Sequence, residues 1–352
     1  MRPGSDEAPT LAGARGFRGQ ARSTNRNRIA ESTASASATA EAFRAAISTA
    51  LGYAPDTIEP GRLQRFATNG RRGDTSGWCM LFADLRGGAY GDFRQGISET
   101  WHATDRAMMT RSQRAELARQ VMRATAEREA EQRRQWAANA QRIAALWAEC
   151  RPLVPGDPVT LYLKRRGFGG VWPLPACLRF HPALPYWHEG ERIGDFAAMV
   201  APLVAPDGRI VALHRTYLTR DGHKADVPTV RKLTGAAGSL AGACIPLHEP
   251  ERGCIGVAEG VESAVAAWLA SSVPTAAAYS AGNLAAYVWP PGVRRIVVFA
   301  DNDAAGADAA DKLRQRARRA GLLCEVLTPT APGSDWADAY ARRSATTIEA
   351  TL

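Results

Sequence analysis

Three carboxylates in the C-terminal third occupy positions suited to chemistry. Glu259 follows the apolar run Cys254 to Ala258, and Asp301 and Asp303 follow the more strongly apolar run Ile296 to Ala300. Each run has the length and content of a buried strand and passes directly into a helical pattern. Val261, Val265, Trp268 and Leu269 share a helix face after the first run, and a second helix begins near Ala304. Strands that alternate with helices lie parallel, and ligands bind at their shared carboxyl edge. Glu259, Asp301 and Asp303 are therefore expected to converge on one small volume.

Carboxylates gathered in one place repel each other unless positive charge stands between them. Hard divalent cations such as Mg²⁺ or Mn²⁺ take oxygen ligands and keep several waters, with phosphates completing the shell. Side chains two apart on an extended segment point the same way, which suits a D-x-D pair. The spacing predicts a metal site. The alternative is that these acids cap the helices that follow them. One acid alone fits capping better; acids at two strand ends, one of them doubled, fit coordination.

The order of strand, Glu259-Gly260, helix, then strand, Asp301-Asn302-Asp303, Ala304-Ala305-Gly306, helix resembles the Toprim domain. Bacterial-type primases, type IA and II topoisomerases, certain nucleases and certain recombination proteins share that Mg²⁺-binding fold. The resemblance covers about residues 253–340. It implies a Rossmann-like, mainly parallel sheet, with Glu259 as the Toprim glutamate and Asp301 and Asp303 as the acidic pair. Asp335, in the segment Ser334-Asp335-Trp336-Ala337-Asp338, is implied as a further acid near the metal, with Asp338 next in line. The bland reading of that segment is an Asp335 cap with Trp336 buried. Primases often carry another acid four residues after the glutamate. Here that position is Ser263, and Glu262 lies one residue earlier, either as a substitute or facing solvent.

The preceding segment resembles the basic subdomain of the same primases. Tyr162, Leu163, Arg166 and Gly167 match its Y-L-x-x-R-G element. An apolar hairpin follows, with strands Met199 to Val204 and Arg209 to Leu213 and a turn at Pro206-Asp207-Gly208. Arg215 and Lys224 match the arginine and lysine that face the acids, and Arg231 or Lys232 is a further candidate. The implied role is to hold triphosphate. Taken singly, each cation fits a solvated surface equally well, and His214 and His223 fit structural roles as readily as a proton or phosphate contact.

These parts give an α/β chain in five expected segments. They are a disordered basic tail (1–38), a small β-rich N-terminal module with one helix (39–104), a helical connector (105–150), an α+β basic subdomain (151–250) and the Toprim domain (251–352). Residues 106–150 contain neither Gly nor Pro, as a long helix requires. In the N-terminal module, Trp78, Phe82, Tyr90, Phe93 and Trp101 interleave with Arg65, Arg71, Arg72, Arg86 and Arg94. Stacked bases on a cationic track and a small aromatic core are equally good readings of that pattern.

The six cysteines form no C-x-x-C and no zinc spacing, so a reducing cytoplasmic setting and no structural zinc are expected. A net charge of +9 favours a polyanionic partner. No apolar run is long enough to span a membrane, so no membrane partner is expected. No G-x-x-x-x-G-K-[ST] occurs, which disfavours a fused helicase or ATPase and leaves a separate replicative helicase as the implied partner. The reading with most support is a Toprim primase of a mobile element, acting on single-stranded DNA template and NTPs with Mg²⁺ or Mn²⁺. A Toprim nuclease and a non-catalytic nucleic-acid-binding accessory protein are the alternatives.

Overall fold

A computed structural model describes residues 36–70, 74–93, 95, 97–103, 110–169 and 173–349. Most of the expected basic tail, and Arg71, Arg72 and Arg94 of the N-terminal module, lie outside the described residues. The chain divides into two compact units, Met1–Ala130 and Glu131–Leu352.

In the first unit, helix α1 (residues 36–51) packs on an antiparallel meander. The strands are β1 (Gln64–Phe66), β2 (Gly77–Leu81), β3 (Gly87–Asp92) and β4 (Ile97–His102), in that order across the sheet. Phe43, Ile47 and Leu51 recur at helical spacing and meet Phe66, Cys79, Leu81 and Tyr90. Trp78, Phe82 and Tyr90 are buried, so most of the rings form the core of this small unit. Phe93 is exposed, with the Arg65 guanidinium 4.2 Å from its centroid.

Helix α2 (Arg111–Glu149) is continuous over 39 residues, and the division between the units falls within it. In the second unit, its Ile143, Leu146 and Trp147 cover one face of a five-stranded antiparallel sheet. That sheet comprises β5 (Arg151–Pro152), β6 (Arg179–His188), β7 (Glu191–Val204), β8 (Ile210–Leu218) and β9 (Arg231–Leu233). The β7–β8 hairpin turns at Gly208, whose φ of 85° an L-residue rarely adopts. Strand alternation sorts the side chains. Ala198, Val200, Leu213 and Tyr217 face α2, whereas Ala197, Met199, Ala201, Ala212 and Leu218 face a larger core. Helix α3 (Pro158–Leu163) joins that larger core. The Asp157 side chain caps α3 by accepting from the Thr160 N–H at 2.7 Å.

The rest of the larger core comes from a parallel sheet of β10 (Cys254–Ala258), β11 (Thr275–Ala277), β12 (Arg295–Phe299) and β13 (Leu323–Leu327), in the order β11-β10-β12-β13. Helices α4 (Val261–Ser271) and α7 (Trp336–Glu349) cover the face toward the antiparallel sheet. Helices α5 (Ala281–Ala286) and α6 (Ala304–Arg319) cover the other. The parallel α/β sheet expected from the two acid-ended runs is therefore present. Its connections diverge between β10 and β12, the switch point at which open α/β sheets bind ligands. No helix among the described residues is long and apolar enough to cross a membrane.

Candidate active site

Register sets the acids side by side. Ala258 of β10 pairs with Phe299 of β12, so Glu259 leaves the sheet next to Ala300 and Asp301. A cleft of about 100 Å³ opens there, lined by Glu259, Asp301 and Asp335 together with Glu262, Arg231, His214 and Tyr279.

The capping and ligand readings divide the acids between them. Asp303 caps α6, its Oδ1 accepting from the Gly306 N–H at 2.7 Å, and Asp335 caps the start of α7, accepting from the Asp338 N–H at 2.7 Å. Gly306 is required for the first of these turns, because a Cβ there would stand 2.6 Å from the Asp301 carbonyl oxygen. Asn302 ties the two segments together: its side chain donates to the Pro329 carbonyl, and its backbone bonds both Gly333 and Ser334. Trp336 stands edge-on to Phe299, with centroids 5.2 Å apart, which holds Asp335 at the cleft.

Asp301 caps nothing, whereas Glu259 meets the start of α5, accepting from the Ala281 backbone N–H. Asp301 Oδ1 is buried without a hydrogen-bond partner. Its carboxyl is pushed up to about 7, first by burial and then by the charges of Glu259, Asp335, Asp303 and Asp338. Burial and Asp303 also raise the Glu259 carboxyl, against the Ala281 backbone N–H that donates to it. Among the described residues, no three His, Cys, Asp or Glu side chains are grouped as a ready-made cation cage. The orphaned oxygen and the surplus of negative charge fit a hard divalent cation that keeps waters and borrows phosphate oxygens.

Glu262 neither faces solvent nor stands free. It is 3% exposed and accepts at Oε1 from the Tyr162 hydroxyl (2.6 Å) and from Arg231 Nη2 (2.8 Å). Burial pushes its carboxyl up, but Arg231 and the Tyr162 hydroxyl outweigh that and hold it near 2. Arg166 turns to α7, 3.6 Å from Asp338 and 4.0 Å from Asp335. The Y-L-x-x-R-G element is thus a seam against the acid-bearing domain, and a Cβ at Gly167 would stand 3.5 Å from the Ala341 Cα.

The cations are arranged differently from the sequence expectation. Arg215 donates to the Leu233 carbonyl at 2.6 Å and lies 5.8 Å from the Tyr217 ring. Lys232 donates to the Trp187 carbonyl and lies over the Tyr186 ring. Both rings belong to the core under α2, on the sheet face away from the acids. Their immediate neighbours, His214 and Arg231, line the cleft instead. Lys224 is exposed, bridging Leu218 through its backbone, and His223 pairs with Asp221 at 3.4 Å. His214 is buried with Nδ1 unpartnered, and burial pushes its pKa down to about 4. Sequence reasoning did not select Tyr279. Its signal was its place just past β11, a third parallel strand end, and its backbone is left-handed at φ 63°.

Residues 254–346 match the Toprim domain model. The C-terminal region is a Toprim domain. Residues 137–244 match a domain of unknown function (DUF7146), so this Toprim domain follows a segment with its own sequence family. No curated protein matches the chain. Similar solved structures include a DNA primase domain from Pseudomonas aeruginosa, at 18% identity and TM-score 0.32 over 48% of this chain and 56% of that one. The primase fragment of the bacteriophage T7 primase-helicase protein is similar at 17% identity and TM-score 0.33, over 49% and 66%. The E. coli primase catalytic core is similar at 16% identity and TM-score 0.39, over 55% and 71%. This chain thus spans just over half the length of the Pseudomonas domain. The Toprim assignment rests on residues 254–346.

Proposed function

We propose that this chain is a Toprim-type DNA primase of a plasmid or phage, making short primers on single-stranded DNA by nucleotidyl transfer from NTPs and working beside a separate helicase. The observation that carries this reading is the cleft lined by Toprim carboxylates, with Asp301 Oδ1 left without a partner, and by the Arg231 guanidinium. Glu259, Asp301 and Asp335, which line the cleft, with Asp303 close to the first two, would hold Mg²⁺ or Mn²⁺. When bound, such a cation neutralises triphosphate charge and aligns an attacking hydroxyl.

The chain's own residues supply the rest. Arg231 offers guanidinium N–H donors to phosphate oxygens. Lys224, exposed outside the cleft, adds positive charge for the β- and γ-phosphates as they enter. His214, held neutral, can take a hydrogen bond from a hydroxyl. Asp301→Asn, compared with wild type on single-stranded DNA with labelled NTPs and Mn²⁺, tests the reading. Short oligonucleotides from the wild type alone support it. Shortening of the DNA that requires Asp301 would replace it with a nuclease. DNA binding unaltered by Asp301→Asn, without either product, would leave a non-catalytic accessory protein.

A further inference from the structure

Glu262 sits in the first turn of α4 beside Val261, Ala264 and Val265, all part of the apolar core. A carboxylate there loses its water, a penalty that good partners only just offset. An apolar residue would serve the packing of α4 as well, so the charge calls for another explanation.

The geometry supplies one. Tyr162 and Arg231 both donate to the same oxygen, Oε1, at 2.6 and 2.8 Å. The ion pair is lopsided in exposure, with the Glu262 side chain 4% exposed and that of Arg231 47% exposed. The carboxylate is therefore the fixed member and the guanidinium the presented one. Arg231 lies on a three-residue strand, β9, at the edge of its sheet, so its long side chain is otherwise free to sample many rotamers. The contact to Glu262 uses Nη2 and leaves other N–H donors for a ligand in the cleft that both residues line.

We infer that Glu262 is a positioning residue: it fixes Arg231 so that the guanidinium meets the phosphate oxygens of a nucleoside triphosphate, and it is not a ligand of the cation. The inference takes the triphosphate from the proposed primase function. Tyr162 contributes by donating to the same Oε1, so the seam formed by α3 and the phosphate contact share one atom.

The test is calorimetric titration of the full chain with ATP, with AMP and, separately, with MnCl₂ alone. Glu262→Gln should weaken ATP binding about tenfold, the scale of one charge-assisted hydrogen bond, while AMP and Mn²⁺ binding stay within about twofold. Adding Glu262→Gln to Arg231→Gln should produce no further loss. Glu262→Asp, which keeps the buried charge but shortens its reach, should show the same selective loss and serves if the Gln variant does not fold. Weaker Mn²⁺ binding in Glu262→Gln would overturn the inference in favour of a ligand. Unchanged ATP affinity in a folded variant at position 262, or no ATP binding by the wild type, would also overturn it. Primer synthesis by the wild type, measured alongside, judges the primase reading separately. No primers, with the selective ATP loss intact, removes the primase and keeps the positioning role.

Discussion

Arg215 and Lys232 are cross-strand partners on β8 and β9, and both side chains lie on the sheet face turned away from the Toprim carboxylates. One step along each strand, His214 and Arg231 lie on the opposite face and line the cleft. Arg231→Gln should therefore lower triphosphate affinity by about tenfold, whereas Lys232→Gln should change it by less than about twofold. Arg215→Ala should act on stability, costing about 1–3 kcal/mol in urea unfolding because it removes the donor to the Leu233 carbonyl.

Asp301 destabilises the metal-free protein at neutral pH. Its folded pKa near 7 lies above the unfolded value of 3.8, so its contribution is most favourable below 3.8 and is lost as pH rises toward 7. Asp301→Asn should raise metal-free stability at pH 8 by about 1–2 kcal/mol, after allowance for solvent screening, and by almost nothing at pH 4. Mn²⁺ should raise the melting temperature of the wild type and have much less effect on the variant. Thermal scans at the two pH values, with and without Mn²⁺, check both points.

His214 sets an acid limit. Its folded pKa near 4 lies below the unfolded 6.5, so the unfolded chain takes the proton first and stability falls as pH drops from 6.5 to 4. The loss should reach about 3 kcal/mol. Glu262, held near 2 against 4.5 unfolded, adds a second loss only as pH falls from 4.5 toward 2. Asp301 gives both proteins an opposite gain on acidification, so the comparison is with His214→Gln: between pH 7 and 4.5 urea unfolding should show the wild type losing about 2–3 kcal/mol relative to that variant.

Gly306→Ala should disturb the acid pair without altering any acid. The added methyl would meet the Asp301 carbonyl at 2.6 Å, so either the α6 turn or the Asp301 backbone must move. A destabilisation of about 1–3 kcal/mol is expected from such overpacking, together with loss of the Mn²⁺-dependent melting shift.

The parallel sheet was legible because apolar runs ending in acid, followed by helical patterns, admit few folds. Glu259 and Asp301 were legible as neighbours because two strand ends confine them to one edge, whereas Asp335 followed only from the resemblance to Toprim. The cations were less so. On a strand, the choice between residue 214 and residue 215, or 231 and 232, depends on which face meets the acids. That is set by packing against α2 and α4, elements distant in sequence. The pattern Arg215-Thr216-Tyr217 carries no mark that its odd positions serve the α2 side. Glu262 was unreadable for a related reason: its partner Tyr162 stands 100 residues away, and a charge in the first turn of a helix usually faces solvent.

Two sequence families meet between residues 244 and 254, yet no structural boundary falls there. Met199 and Leu218 from one side and Val265 and Phe299 from the other fill a single core. The Toprim domain of this chain is therefore half of a folding unit. Separated at Cys254, it would expose the apolar face of α4 and leave Glu262 without either donor. A graft of this Toprim domain onto another protein is therefore expected to fail unless the host supplies counterparts of Tyr162 and Arg231.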